Sequence, residues 1–281
     1  MYRQGSFEQE NIPGMLGVEE LWSGTENAIL NDAFDEEILS EKTEMNGSTL
    51  REVYVTSRVI NGEPVRVYAW LGLPATNKSG AGVMHIHGGG QTASQDWVKY
   101  WTSLGYIAVS FDYAGKADGR SHYTRYPDAL AYCNQATCND YTCHPDARNN
   151  CWYEWTYISR RILTYLCAQE GVDVKKIGIF GISMGGTLTW KVAGVDKRVS
   201  AAAPIYRVGY DYTYNQYHPY DSALKPSFTD DAKKYIAAVS SEAYAPYITC
   251  PILFLSASND FHGDFDWAGF TYEDLPNDTI H

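Results

Sequence analysis

The serine at position 183 stands in a pattern that supports nucleophilic catalysis. It is flanked by Gly181 and Gly185 in a G-x-S-x-G pattern, with Gly186 beyond. An apolar run before it predicts a strand and small residues after it predict a helix, so the serine lies at a sharp turn where flanking side chains would collide. The amide of Met184 then starts the helix and suits an oxyanion. The alternative is a serine that only caps a helix.

A second glycine-rich pattern, HIHGGG at residues 85–90, follows another apolar run. Gly88, Gly89 and Gly90 let the backbone turn its N–H groups into a cleft, which predicts the other half of an oxyanion hole. A phosphate-binding loop would end in Lys-Ser/Thr, which this stretch lacks. His85 and His87 are expected to be structural, because a general base must reach the serine oxygen.

A third candidate is Asp260, the first carboxylate after the apolar run PILFL and a short polar loop. In enzymes whose catalytic residues follow the order Ser, Asp, His, the acid occupies this place. Asp264 and Asp266 are reserves, although carboxylates there are better explained as the start of a helix. Asp260 could also simply cap its loop.

The elements that would position these residues follow an α/β pattern. From residue 81 onward, short apolar runs that end in Gly, Ser, Asn or Asp alternate with helical patterns, which predicts a mostly parallel sheet covered on both faces. Residues 51–74 predict an antiparallel hairpin. We divide the chain into an N-terminal extension with short helices, 1–49, and a domain, 50–281, with insertions at about 116–151 and 206–237.

Composition excludes several functions. The net charge of −12, from 34 acidic and 22 basic side chains, leaves no basic surface for nucleic acid or anionic lipid. No apolar run is long enough for a membrane span, and the first residues do not resemble a signal peptide.

Four clustered cysteines, Cys133, Cys138, Cys143 and Cys151, have spacings that match no common zinc site, so no metal is expected. Disulfides in this loop would favour an oxidising compartment, secreted or periplasmic. Four free thiols are the alternative.

With these residues in hand, the chain resembles the α/β-hydrolase superfamily. Within it, the chain is similar to acetylxylan esterases, near the dienelactone-hydrolase and cephalosporin-deacetylase branches. The likeness runs from about Leu21 to the end, through HIHGGGQTAS, KKIGIFGISMGGTLTW, VAGVDKRVSAAAPI and PILFLSASNDFHGDFDW.

The resemblance implies an α/β-hydrolase fold and a serine esterase without a cofactor. Ser183 would be the nucleophile and Asp260 the acid, with oxyanion donors at Met184 and in the loop 88–90. The substrate would be a small-molecule or oligosaccharide ester, such as an acetylated carbohydrate. A serine peptidase of the prolyl-oligopeptidase kind and an inactive binding scaffold are the alternatives.

Substrate contacts are expected from Gln91, Tyr206 and Tyr210. Six tyrosines between positions 206 and 220 could form an aromatic wall against which sugar faces pack. They could equally fill a small core within the insertion.

The superfamily's general base is a histidine after the last strand, and His281 lies where that strand would only begin. We therefore expect the last strand, its helix and the base to lie past the printed sequence, and this chain alone to have low activity. His262 is too near Asp260 to act with it. His122, His144 and His218 lie in the insertions and are expected at the surface.

Overall fold

A computed structural model describes residues 11–76, 79–138, 141–206, 228–260 and 265–276. Its centre is a seven-stranded sheet with the order β1-β2-β3-β5-β4-β6-β7. The strands are β1 (Glu37–Thr43), β2 (Thr49–Ile60), β3 (Glu63–Leu73), β4 (Gly82–Ile86), β5 (Ile107–Phe111), β6 (Ile177–Ile182) and β7 (Val199–Ile205).

The described helices lie mostly between the strands, as predicted for an α/β chain. They are α1 (Val18–Trp22), α2 (Glu26–Asn31), α3 (Gln95–Ser103), α4 (Cys151–Cys167), α5 (Met184–Val195), α6 (Asp230–Ala238), α7 (Ser241–Tyr244) and α8 (Phe265–Glu273), with short 3₁₀ turns at Asp128–Cys133, Ala147–Asn149 and Ala245–Tyr247. Within the described ranges, none of the helices is both long and apolar enough to cross a membrane.

One half of the sheet is parallel and carries helices on both faces. β5, β4, β6 and β7 are parallel neighbours. Side chains of a strand alternate between faces, and β5 shows this directly: Ile107 and Val109 belong to the large core that includes α4 and α5, whereas Ala108 packs with Val98 of α3. The strands of this half are mostly apolar because most of their side chains are buried, although Ala201 of β7 is exposed.

The other half is antiparallel. β2 and β3 form the predicted hairpin, and β3 joins the parallel half through antiparallel pairs with β5. β1 adds an outer strand to β2. Short helices were expected in this part of the chain, and α1 and α2 are present, but the strand was not predicted. Most β1 side chains are exposed, so its sequence has no alternating apolar pattern.

Residues 251–255, predicted as a strand, run beside β7 without forming a regular ladder. Two parallel bridges hold them, Ala202 with Ile252 and Ile205 with Leu255. The N–H of Leu255 donates to the carbonyl of Pro204 at 3.1 Å. This segment therefore extends the parallel half and ends at the same edge as β7.

Arg161 joins the N-terminal region to the centre of the molecule. Its guanidinium is buried and donates to backbone carbonyls, including those of Ile29 at 2.6 Å and Asp32 at 2.9 Å. It also lies over the Phe34 ring, 4.4 Å from the ring centroid. Burial lowers the pKa of Arg161 from its usual value. Residues 29–34 are thus attached directly to α4.

Asp196 fixes the far end of α5. The carboxylate is buried and accepts from Arg198 Nη2 at 2.7 Å and from Arg160 Nε of α4 at 3.2 Å. Burial alone would raise its pKa, but the hydrogen bonds and charge of Arg198, with the charge of Arg160, outweigh it and hold the pKa below its usual value. The helix that begins at Met184 is therefore anchored to α4 where it ends.

Replacing Asp196 with asparagine is expected to lower the free energy of unfolding by about 3 kcal/mol at pH 7, because two arginines lose a buried charged acceptor. Because the folded-state pKa of Asp196 lies below the unfolded-state pKa of about 3.9, the ionised carboxylate stabilises the fold above that pH. This stabilisation is lost as the pH falls through the folded-state pKa. The deficit of D196N in urea titrations should therefore stay constant from pH 7 to about pH 5 and shrink as the pH is lowered below about 4. The exposed control D128N should match the wild type throughout, and a pH-independent deficit in D196N would contradict the linkage.

One disulfide closes part of the insertion at residues 116–151. It joins Cys138 to Cys151, the first residue of α4. Cys133 and Cys143 are free and buried, and burial raises the pKa of both thiols, that of Cys143 to about 12. The cysteine spacing left two alternatives, disulfides or four free thiols. The structure has one disulfide in this cluster and two free thiols.

Candidate active site

Ser183 forms the turn between β6 and α5. Its backbone has φ 58° and ψ −120°, a region that costs a residue other than glycine about 1–3 kcal/mol and is found mainly at functional sites. The N–H of Ser183 donates to the carbonyl of Ile205 at 2.7 Å, and its own carbonyl accepts from the N–H of Thr187 at 3.0 Å. These two bonds hold the strained turn against β7 and the first turn of α5.

The two flanking glycines are required by close backbone contacts. A Cβ atom on Gly185 would lie 2.1 Å from the carbonyl oxygen of Ile86 and 2.6 Å from that of His87. A Cβ on Gly181 would lie 2.3 Å from the carbonyl oxygen of Gly185. All three distances are far below van der Waals contact, so the steric reason inferred from the sequence matches the geometry found.

The structure brings the serine turn and the triple-glycine loop into contact. A Cβ on Gly88 would lie 3.0 Å from the carbonyl oxygen of Ile182, and one on Gly89 would lie 2.6 Å from the sulfur of Met184. The loop therefore lies directly beside the residues before and after Ser183, as a shared site requires.

The N–H groups of this loop differ in what they bind. Gly88 donates to Oε1 of Gln91 at 2.9 Å and Gly90 donates to Oε1 of Gln135 at 3.0 Å. Within the described ranges, the N–H groups of Gly89 and Met184 have no protein acceptor. These two amides come from the two different motifs and are the ones left available to a ligand.

The two histidines of the glycine motif are buried and held in place. His87 Nδ1 donates to the carbonyl of Gly88 at 2.7 Å, while Nε2 accepts from the N–H of Tyr113 at 3.3 Å and lies 3.4 Å from Oδ1 of the buried Asp112. Its ring stacks on Tyr113 with centroids 4.1 Å apart. His85 bonds Ser110 Oγ at 2.9 Å, and burial lowers the pKa of His85 to about 3. Both contacts fit the structural role expected for these side chains.

Two side chains that sequence reasoning missed bind Gly90. Arg120 donates from Nη2 to its carbonyl at 2.5 Å, and Gln135 accepts from its N–H. Arg120 also lies 3.8 Å from the buried carboxylate of Asp112. No local pattern marks either residue, because each contacts the loop only through the path of the insertion.

Asp260 lies five residues beyond Leu255, past the end of the segment that runs parallel to β7. Its N–H donates to the carbonyl of Ala257 at 3.0 Å in a turn, and the residue is half-buried. Ser183 and Asp260 thus follow elements that end at the same edge of the sheet. The reserve Asp264 lies outside the described residues, and Asp266 belongs to the first turn of α8.

Among the residues described, no histidine bonds to Ser183. His122 pairs with Glu52 at 3.1 Å, His144 precedes Pro145 in the insertion, and His85 and His87 bond elsewhere. His218, His262 and His281 lie outside the described ranges. These contacts give none of the four described histidines the role of general base for Ser183. The base expected past the printed sequence stays a prediction.

The proposed substrate contacts are only partly visible. Gln91 is bonded to the glycine loop, and Tyr206, 42% exposed, follows the end of β7. Tyr210 and the rest of the tyrosine-rich stretch lie outside the described residues. A cavity of about 790 Å³ on the α3 face of the sheet reaches Ile182, next to Ser183, and is lined mainly by apolar side chains, among them Trp97, Phe180, Ile182, Ile205 and Leu255.

Comparison with known proteins adds family information to this geometry. Residues 17–221 match the model of the family described as acetyl xylan esterase (AXE1). A stretch of 121 residues, 41% of the chain, is 29% identical to the acetyl esterase Axe7A of Xylanibacter ruminicola. The match spans 28% of that curated relative, so the similarity concerns little more than a quarter of its length.

Solved structures share the fold. The acetyl xylan esterase from Paenibacillus sp. R4 superposes with a TM-score of 0.67 at 15% identity, covering 98% of this chain and 90% of that one. Acetyl xylan esterase 1 from Thermoanaerobacterium sp. JW/SL YS485 gives 0.67 at 16% identity, covering 95% and 86%. The chain thus has the α/β-hydrolase fold expected from its sequence.

Proposed function

Because the chain belongs to the acetyl xylan esterase family, as the match over residues 17–221 establishes, we propose that it is a serine carboxylic-ester hydrolase that removes acetyl groups from carbohydrate. The single observation that carries the serine mechanism is the strained turn at Ser183. It stands between two backbone amides, of Met184 and Gly89, that have no acceptor within the described residues.

The two amides support an oxyanion hole. They come from the start of α5 and from the glycine loop, and the contact of Gly89 with the Met184 side chain keeps them near each other. The Met184 amide also lies at the positive end of the helix dipole, which favours negative charge. Gly88 and Gly90, whose N–H groups are bonded to Gln91 and Gln135, shape the loop in this proposal, and Gly89 supplies the donor.

The reaction is a two-step acyl transfer. The Ser183 oxygen attacks the acetyl carbonyl carbon, its proton passes to a histidine outside the described residues, and the carbonyl oxygen takes up negative charge at the two amides. The histidine then protonates the departing sugar oxygen as the ester C–O bond breaks, and Asp260 orients the ring and stabilises its charged form. Water attacks the acetyl-enzyme by the same route and releases acetate.

The carbohydrate part of the proposal is supported by family and by one described side chain. Tyr206 follows β7 at the edge where Ser183 lies, and its ring is partly exposed. Aromatic rings offer flat surfaces to sugars, with the phenol oxygen available for a hydroxyl. Tyr206, Tyr210 and Gln91 therefore remain the proposed substrate contacts.

The experiment is to treat the full-length natural protein, rather than the printed sequence alone, with a fluorophosphonate probe and to locate the adduct by mass spectrometry, alongside measurement of acetate released from acetylated xylo-oligosaccharides. We expect the probe on Ser183 and release of acetate. An unlabelled serine would support an inactive binding scaffold instead. Labelling with cleavage of peptide amides but not of acetyl esters would support the peptidase alternative.

A further inference from the structure

Gln135 connects the two motifs that form the proposed site. Its side-chain Oε1 accepts from the N–H of Gly90 at 3.0 Å, and Nε2 of the same amide donates to the sulfur of Met184 at 3.2 Å. Gly90 belongs to the glycine loop, and Met184 follows Ser183. A single planar amide group therefore contacts both sides of the candidate oxyanion hole.

The main chain around Gln135 is well anchored. Its N–H donates to the carbonyl of Ala114 at 2.8 Å. The preceding turn is held by the buried indole of Trp155, which donates to the carbonyl of Cys133 at 2.9 Å. Three residues after Gln135, Cys138 is bonded to Cys151 at the start of α4. The amide is thus presented from a fixed support rather than from a free loop.

The loop that Gln135 binds has little side-chain packing of its own. Three successive glycines leave the backbone with more conformational freedom than any other sequence would. Gln91 also bonds to the loop, but it lies three residues from Gly88 and moves with it. Arg120 holds the Gly90 carbonyl. Of these three side chains, Gln135 is the one that also contacts Met184.

We propose that Gln135 is a positioning residue that fixes the distance between the amides of Gly89 and Met184. This inference rests on the proposed serine esterase function. A misplacement of about 1 Å in a catalytic site can cost about 100-fold in rate, and the effect falls on the step in which the oxyanion forms. Gln135 touches neither the substrate nor the reacting atoms, so it acts through Gly90 and Met184.

The test compares Gln135→Leu with the wild type, both as the full-length natural protein, on p-nitrophenyl acetate. Leucine removes both polar contacts while keeping similar bulk. We expect kcat to fall by about 10- to 100-fold with little change in KM, because the oxyanion forms after the ester binds. A wild-type kcat, or a change confined to KM, would overturn the inference.

Gln135→Glu provides a second variant that retains an acceptor for Gly90. Its ionised carboxylate would oppose the oxyanion, whereas its protonated form resembles the native amide. The ratio of Q135E to wild-type kcat should therefore rise as the pH is lowered from 7 toward the ordinary glutamate pKa of about 4.3. A ratio independent of pH would count against positioning, and this variant decides the matter if Q135L does not fold.

The neighbouring Asn134→Leu is the matched control. Asn134 Oδ1 accepts from the N–H of Lys116 at 2.8 Å, so its loss loosens the same insertion without touching Gly90 or Met184. We expect N134L to keep nearly the wild-type kcat. Equal losses in N134L and Q135L would assign the effect to the insertion as a whole and overturn the role of Gln135. Wild-type protein without Ser183-dependent turnover would instead refute the proposed function itself.

Discussion

In the full-length natural protein, substituting alanine for Ser183 is expected to lower kcat/KM for p-nitrophenyl acetate by about 10⁴-fold or more, because the nucleophile of a triad cannot be replaced by the remaining members. Binding should persist, because the amides of Gly89 and Met184 remain. The measurement is steady-state kinetics of both proteins, with covalent labelling by a fluorophosphonate as a second readout. S183A should take up no label at this position.

Ser200→Ala is the control for this change. Ser200 lies at the opposite end of β7 from Ile205, and its hydroxyl donates to the carbonyl of Lys175 at 2.7 Å. Its loss should cost about 1 kcal/mol of stability and leave kcat/KM unchanged. If S183A retained the wild-type rate, the hydrolysis observed would come from another group and the serine mechanism would be wrong.

Gly185→Ala should be among the most damaging single-methyl additions in the protein. The new Cβ would meet two carbonyl oxygens of the β4 end and the glycine motif, at 2.1 and 2.6 Å, and neither is a flexible side chain that can move away. Overpacking typically costs about 1–3 kcal/mol and sometimes more, and we expect at least the upper end of that range. Thermal and urea unfolding would measure the loss, and esterase activity should fall with it as the serine turn shifts.

Gly178→Ala is the matched control on the same strand. A Cβ at this position comes no nearer than 4.0 Å to its neighbour, the carbonyl oxygen of Gly82. We expect G178A to unfold at nearly the wild-type temperature. Similar losses in both variants would mean that any methyl group added to this strand is harmful, and that the carbonyl contacts of Gly185 are not the cause.

The parts of the fold that could be predicted are those specified by local chemistry. β4, β5 and β6 lie inside the sheet and are mostly buried, so each is a short and largely apolar run. The serine turn was predictable because glycine on each side of Ser183 avoids steric clashes at this sharp turn. The short distances from the backbone at Gly181 and Gly185 confirm these clashes. The α/β-hydrolase fold follows from these elements.

What could not be predicted depends on contacts between distant parts of the chain. β1 is an edge strand with mostly exposed side chains, so its residues carry no periodic signal. Gln135 lies 45 positions from Gly90 along the chain, and nothing in its immediate neighbours indicates that the insertion returns to the site. Asp260 as the acid stays a prediction, supported by its place after the segment beside β7.

The buried guanidinium of Arg161 limits how this protein can be shortened. Its acceptors include the main-chain carbonyl oxygens of residues 29 and 32. A point mutation at either residue leaves that oxygen in place, whereas deletion of the residue removes it. Trimming the polypeptide from its amino end past these positions would remove most acceptors of this guanidinium and uncover the side of α4 against which residues 29–34 lie. A shortened protein designed by deleting the residues before the first hairpin would therefore expose this side of α4 to solvent.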